Sequence, residues 1–415
     1  MKKMLHIIAV LVMALALMLA CTVPAMAEAT ETLELVLMTK DSTTAGFDEW
    51  LKKAEETCNL KITVIPTSTN NNDRQAEITT VLSTADTSVD IITVNDEMYT
   101  AFKNTGWLEK LNNVMTPEVV AEYPTAYLND MVITEDGSIF SVPMYFNALG
   151  WFVNTDIMKE VGIESVETYE DFLALCKAAT NDKRFGYGDA WDPTHLFNSL
   201  GSFVNLHGGD YFDWTNEKTQ AGLHALYSLL TEGYTTAAQM ADVYDQLYQN
   251  LVDGNCACGL LYTGNIAKFQ KAGLYGDEGS IIMIVPPVVD EEVGATAYCS
   301  SWHYVLNSAS PNKEAAMRFL NYAASEQGQM DYVLTFGSYP SYLKLLEKPE
   351  LDSLPGIEQM REYISKVTLR GRPIVPEAME YITEMGNLFH RLVMGEIDEA
   401  TFCVEAQSAT EYYTE

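Results

Sequence analysis

Between Gly137 and Thr168 the chain reads GSIFSVPMYFNALGWFVNTDIMKEVGIESVET. A Gly turn leads into an aromatic-rich strand carrying Pro143, and a second strand over residues 148–153 ends at Asn154. A short helix then closes at Gly162, with Asn at its start and Gly at its stop, as helix ends prefer. At 415 residues the chain is too long for one ordinary core and suits two domains. No Pro/Gly/Ser-rich linker, tandem repeat or low-complexity tract marks a boundary between them. The boundaries are therefore expected at strand crossings, in a bilobal protein whose chain passes between lobes several times.

The remaining periodicities fit that expectation. Residues 32–38 alternate Leu and Val with polar residues, the period of a strand. Phe47, Trp50, Leu51 and Ala54 recur at helical spacing, and residues 60–65 read as a second strand. Residues 76–82 and 98–105 read as helices around a buried strand at 89–94. Strands alternating with helices predict βαβ units and a mostly parallel sheet. The pattern restarts after Asn154, with helices near 169–179, 193–207, 217–231 and 242–251. Strands recur at 257–262, 281–285 and 297–306, and helices dominate from Asn312 onward.

The first 27 residues read as an export signal and not as part of the fold. Lys2 and Lys3 precede an apolar run over 7–20, and Ala25-Met26-Ala27 is a good signal-peptidase site. Met18-Leu19-Ala20-Cys21 is the rival reading, a lipobox-like tetrapeptide that would make Cys21 a lipidated N-terminus, although Leu19 is bulky for its position. Either cleavage places the protein outside the cytoplasm, secreted, periplasmic or anchored at the cell surface. The formal net charge is −33, which disfavours nucleic acid and anionic membrane surfaces as partners. Seven cysteines are present at irregular spacing, mostly in apolar stretches, and read as small buried hydrophobes. Cys256-Ala-Cys258 lacks the second pair that a zinc site needs, so neither a metal nor a cofactor is expected.

Four blocks in order carry a family resemblance. Asp90-Ile91-Ile92-Thr93-Val94-Asn95-Asp96-Glu97 precedes Gly106-Trp107-Leu108; residues 137–168 follow; then come Asp253-Gly254-Asn255-Cys256-Ala257-Cys258-Gly259 and Ser308-Ala309-Ser310-Pro311-Asn312-Lys313-Glu314 with Phe319-Leu320. Together they resemble the sugar-type extracellular solute-binding proteins that feed ABC importers, the maltodextrin-binding branch in particular. The resemblance implies a two-lobed α/β fold of the periplasmic-binding-protein kind, each lobe an open, mostly parallel sheet flanked by helices, joined by a multi-strand hinge. By analogy of segments, lobe one holds 28–145 and 298–346 and lobe two holds 148–295 and 350–415. Residues 146–147, 296–297 and 347–349 form the hinge. The implied partners are a small-molecule ligand, a carbohydrate, and the transmembrane subunits of an ABC permease, with the protein itself a monomer.

A sugar offers hydroxyls at its edge and C–H patches on its faces, so a site needs aromatic platforms and fixed carboxylates or amides. By the resemblance, Lys40 and Asp41 after the first strand are ligand contacts; Asp41 as a helix cap beside a solvated Lys is the plain alternative. Asp96 and Glu97 follow the buried strand where the family places an acidic ligand residue, or they merely begin a helix. Tyr145 and Asn147 sit in the first crossing, Asn147 standing where the maltodextrin-binding branch has an acid. Trp191 with Asp192 reads as a platform plus hydroxyl acceptor, or as a core Trp with a capping Asp before Pro193. Tyr262 and Asn265 flank a Gly turn, Trp302 lies on the strand after Ser300-Ser301, and Tyr381 lies near the family's last aromatic platform.

The expected function is capture and delivery of a mono- or oligosaccharide, with no chemistry performed on it. A polyamine or other small cation in the same fold is the sharper rival, since Asp41, Asp96, Glu97 and Asp192 among aromatic walls would suit an ammonium. Two or more unpaired carboxylates in the site would favour that cation. A secreted glycoside hydrolase is the distant one: no G-x-S-x-G, H-E-x-x-H or P-loop is present. Lys366 and the Arg370-Gly371-Arg372 cluster form the only dense basic stretch, expected to pair with neighbouring acids or to help dock a permease.

Overall fold

The computed structural model describes residues 31–68, 70–275 and 279–414, so the segment expected to be an export signal and Cys21 lie outside the described residues. Among the described residues ten strands are formed: β1 (Leu33–Thr39), β2 (Leu60–Pro66), β3 (Ile91–Asn95), β4 (Ser141–Asn154), β5 (Phe185–Gly188), β6 (Cys256–Tyr262), β7 (Ile281–Ile284), β8 (Thr296–Leu306), β9 (Tyr339–Pro340) and β10 (Thr368–Gly371). Their order is β2-β1-β3-β8-β4-β6-β5, with β10 beside β8 and both β7 and β9 beside β4.

β4 is the element that makes two lobes out of one path. Its first half pairs antiparallel with β8, from Ser141 opposite Val305 to Ala148 opposite Cys299. Its second half pairs with β6, from Leu149 opposite Tyr262, and with β7. The two strands expected here are thus a single continuous one, because pairing passes from β8 to β6 between Ala148 and Leu149 without a gap. Pro143 is accommodated by a register shift between Pro143 and Tyr145, a bulge that tolerates a residue without an N–H. The sheets are mixed rather than mostly parallel. The βαβ pairs β1–β2, β1–β3 and β5–β6 are parallel as expected, but every pairing that β4 makes is antiparallel.

Side-chain alternation divides the apolar residues among three cores. Leu35 and Leu37 on β1 and Phe152 on β4 belong to a core that runs across both sheets. Met38 and Ile92 face a smaller core with Ile78 and Tyr99 behind the first sheet. Trp151 and Val153 face the core behind the second sheet, with Phe172 and Phe203. The signals at residues 154–171 are realised in detail. Asn154 Oδ1 accepts from the amides of Asp156 and Ile157, and Gly162 ends the helix at φ +75°. Thr168 and Asp171 then form a reciprocal capping box.

The six described cysteines are free thiols, five of them buried, in keeping with their reading as small hydrophobes. Among the described residues no helix is long and apolar enough to cross a membrane, and no cluster of His, Cys, Asp and Glu is arranged to hold a metal ion.

Candidate ligand-binding cleft

The cleft lies where β4 and β8 run between the lobes. Tyr145 stands opposite Trp302 and Asn147 opposite Ser300, so these four residues share one face of the crossing ribbon. Chain turns from both lobes close over that face. From the first lobe, β1 ends at Thr39, whose Oγ1 accepts from the Asp41 amide at 3.1 Å and fixes the Lys40-Asp41 turn. From the second, the turn after β6 brings the amide of Gly264 and the hydroxyl of Thr263 to Asn147 Oδ1, at 3.0 and 3.1 Å. A cavity of about 330 Å3 remains between them, bounded by Lys40, Asp41, Tyr145, Asn147, Gly264 and Tyr332.

An aromatic wall lines it. Tyr145 stacks on Tyr332 with ring centroids 5.7 Å apart and planes 9° from parallel, and Tyr332 packs on Phe336 at 4.5 Å. The Tyr332 hydroxyl donates to Asp41 at 3.2 Å. Burial, with Asp41 adding to it, pushes the Tyr332 phenol well above its usual range, so it stays a neutral donor. Asp41 is also ion-paired with Lys40. The Lys40 ammonium sits 4.4 Å from the centre of the Trp302 ring and the Arg74 guanidinium 4.9 Å from it, so two cations lie against this one indole. Burial pushes Arg74 down, and Glu97, Asp41 and Glu77 oppose that shift.

The other face of the ribbon carries a closed polar cluster. Asp96 is 0 % exposed, and its carboxylate accepts from Tyr127 at 2.9 Å, from the Ser301 amide at 3.3 Å and from Arg372 at 3.2 Å, with His303 Nε2 at 3.0 Å. Burial alone would raise its pKa, but His303, Arg372 and Tyr127 together hold it below the usual carboxylate range. This corrects its expected role: Asp96 is a buried structural carboxylate, its lone pairs taken by protein donors. Glu97, beside it, is the more open acid and pairs with Arg372 at 2.8 Å.

On the second lobe Tyr262 donates to Asn198 at 3.3 Å, Asn198 donates to Tyr244 at 3.0 Å, and Tyr244 meets the rings of Tyr262 and His195 edge-on. Asp192 accepts from the Thr194 amide and hydroxyl at 3.0 and 2.6 Å, with His195 Nδ1 at 3.3 Å, a turn ahead of the helix Leu196–Leu206, whose N-cap position is His195 and not Asp192. Asn265 donates to the carbonyl of Tyr262 and serves its own turn. A wider groove of about 1170 Å3 opens beside Thr194, between the helices Asn71–Ser83 and Ala378–Val393.

Two expected platforms are not at the cleft. Trp191 is 0 % exposed in the second-lobe core, its Nε1 donating to Asp189 at 2.9 Å and its ring edge-on to Phe389. Tyr381 is buried in the same core with its hydroxyl 2.9 Å from Thr410 Oγ1. Both lie inward because the helix Ala378–Val393 packs its apolar stripe on the loop before Pro193; Gly386 leaves room there for Pro193. Sequence reasoning in turn missed Arg74, Tyr332, Phe336, Asn198 and Tyr244, which periodicity marks only as parts of helices. The basic cluster pairs with acids, as expected. Arg370 meets Asp130 at 2.7 Å and Arg372 meets Asp96 and Glu97.

The chain is similar to several known proteins. It is 25% identical over 226 residues to the arabinooligosaccharide-binding protein of Halalkalibacterium halodurans, a match covering 51% of this chain and 49% of that protein. The chain thus spans about half the length of this curated relative. Among solved structures, the cyclic alpha-maltosyl-1,6-maltose binding protein from Arthrobacter globiformis superposes with a TM-score of 0.75 at 14% identity, over 92% of this chain and 99% of that one. An ABC substrate-binding protein of Listeria monocytogenes in complex with cycloalternan gives 0.72 at 17% identity over 92% and 99%. These likenesses establish the two-lobed fold. The model of the bacterial extracellular solute-binding proteins matches residues 40–330, and the chain belongs to that family.

Proposed function

We propose that this protein is the ligand-capturing component of an ABC importer and takes a neutral mono- or oligosaccharide in the cleft between its lobes. The observation that carries this reading is the charge pairing of the cleft. Asp41 has Lys40, Glu97 has Arg372, and Asp96 has Arg372 and His303. A polyamine would need surplus carboxylates to replace its hydration, and here Lys40, Arg372 and Arg74, which interacts with Glu97 and Asp41, already stand among the three. What the cleft offers instead is aromatic surface at Tyr145, Tyr332 and Trp302, with amide and hydroxyl groups at Asn147, Thr263 and Tyr262. That combination suits C–H faces and ring hydroxyls. The oligosaccharide named for the curated relative and the sugars named for the structural neighbours are of the same class.

In this reading Lys40, Asp41, Glu97, Tyr145, Asn147, Tyr262 and Trp302 contact ligand, while Asp192 and Asn265 shape the turns beside it. Lobe one comprises 28–145 and 298–346 and lobe two 148–295 and 350–415, hinged at 146–147, 296–297 and 347–349. Ligand draws the lobes together, and the closed form is what the permease recognises. The test is a thermal-shift screen of the purified protein against monosaccharides, oligosaccharides, polyamines and short peptides. Binding to the native state alone raises the melting temperature, by about 2.7 kcal/mol of added stability at a hundredfold excess over Kd. A rise confined to one sugar series supports the reading. A rise with polyamines alone overturns it.

A further inference from the structure

Arg372 is the residue on which both lobes converge, and in the sugar reading it serves only as a counter-charge to Glu97 and Asp96, with no contact to ligand. Its side chain is 7 % exposed. Its Nη2 reaches Asp96 and Glu97 of the first lobe at 3.2 and 2.8 Å, and its guanidinium lies 5.7 Å from the ring centre of Phe197 on the second. Tyr262 of the second lobe is a further neighbour, whose phenol is raised by burial and held back by Arg372.

The arginine is also held on a rigid base. Asp130 accepts from the Arg370 guanidinium at 2.7 Å and from the Gly371 amide at 2.9 Å, which pins the two residues before it. Position 371 must be glycine for that approach, since a Cβ there would lie 2.4 Å from Met131 Cγ and 2.6 Å from Asp130 Cβ. A side chain fixed this way can discriminate between ligands that differ in one group.

Two atoms of this pair lack partners. Arg372 Nε and Glu97 Oε2 are buried and have no hydrogen-bond partner among the described residues. Leaving a charged group's donor or acceptor unsatisfied in a protein interior is costly, which is why such atoms mark places where a ligand or a water completes the structure. The remaining valences are one N–H donor and one carboxylate oxygen, carried by the two members of one ion pair whose Nη2 and Oε1 are 2.8 Å apart. A vicinal diol matches both: one hydroxyl accepts from Arg372 Nε and its neighbour donates to Glu97 Oε2.

We propose that Arg372, with Glu97 as its partner, reads two adjacent hydroxyls of the ligand and so sets which sugar the cleft accepts. The inference rests on the sugar reading of the cleft and adds to it the residue that follows β10. Phe197, buried in the second-lobe core, packs beneath the guanidinium.

The experiment compares wild type, Glu97→Gln and Arg372→Lys by calorimetric titration. The probes are maltose, cellobiose, arabinobiose and their monosaccharides, followed by the deoxy analogues and hydroxyl epimers of whichever binds wild type. Glu97→Gln keeps the shape of the side chain and weakens its acceptor, so it guards against an Arg372→Lys protein that does not fold. The expected result is at least a tenfold loss of affinity for the parent sugar in the variants. In addition, the penalty that wild type imposes on one deoxy analogue or epimer should shrink to within threefold. A structural role alone would weaken all the sugars alike and leave their ratios unchanged, and that outcome overturns the inference while leaving the sugar reading intact. A wild-type protein that binds none of these sugars overturns the reading itself, and the inference with it.

Discussion

The two tryptophans singled out from the sequence separate cleanly by environment. Trp302 is half-buried with Lys40 and Arg74 against its ring, whereas Trp191 is enclosed among Phe389 and its neighbours. Trp302→Ala is therefore expected to weaken ligand binding by at least about 1 kcal/mol, roughly fivefold, with little loss of stability. Trp191→Ala should instead cost about 3–5 kcal/mol of stability, as large-to-small core changes do, and leave the affinity of the folded fraction unchanged. Titration and denaturant unfolding on the same two proteins check both halves. Asp96 makes a separate prediction. Its folded pKa lies below its unfolded value, so its stabilising contribution is fully present above the ordinary carboxylate range, about pH 4, and is lost as pH falls further. Asp96→Asn should flatten this acid limb and, by leaving Arg372 with one buried counter-charge fewer, cost about 3–5 kcal/mol at neutral pH. An acid limb of unchanged steepness in the variant would show that other groups carry it.

At the scale of elements, the periodic signals located most helices and strands to within a few residues, and capping residues set the sharpest ends. Residues 169–179 and 217–231 begin and end where the spacing predicts. β9 and β10 were not legible, because two and four residues are too few to show a period and each exists only by pairing with a distant strand. Close approach between elements is equally invisible in one dimension. Gly222 faces Val204 across two packed helices, and a Cβ there would lie 2.4 Å from Val204 Cα. Gly222→Ala should therefore destabilise the protein by about 1–3 kcal/mol despite the higher helix propensity of Ala, measured by thermal melting. Asn147 ties β4 to the turn after β6, and Asn147→Ala strands the Thr263 hydroxyl and the Gly264 amide. A loss of about 1–3 kcal/mol is expected, and an unchanged melting temperature would mean that the turn holds without it.

For the whole molecule, the apolar core that includes Leu35 on β1 and Phe269 beyond β6 is continuous across both sheets. The lobes share it as well as β4 and β8, so they should unfold together, giving one calorimetric transition whose van't Hoff and calorimetric enthalpies agree. Two resolved transitions would show that the shared core is weaker than its continuity implies. The resemblance of four sequence blocks supplied the two-lobed arrangement and the loops expected to meet a ligand. Composition and the spacing of apolar residues supplied alternating strands and helices, a length too great for one core, the absence of a linker and buried thiols. The latter are consequences of local propensity and of the need to bury one face of each element, and both are written along the chain. Which aromatic faces the cleft and which the core, which carboxylate is already neutralised, and where Arg372 ends were decided only by the tertiary structure. Each depends on partners that are remote in sequence, such as Asp96 with His303 and Arg372, and no local pattern encodes the distance between them.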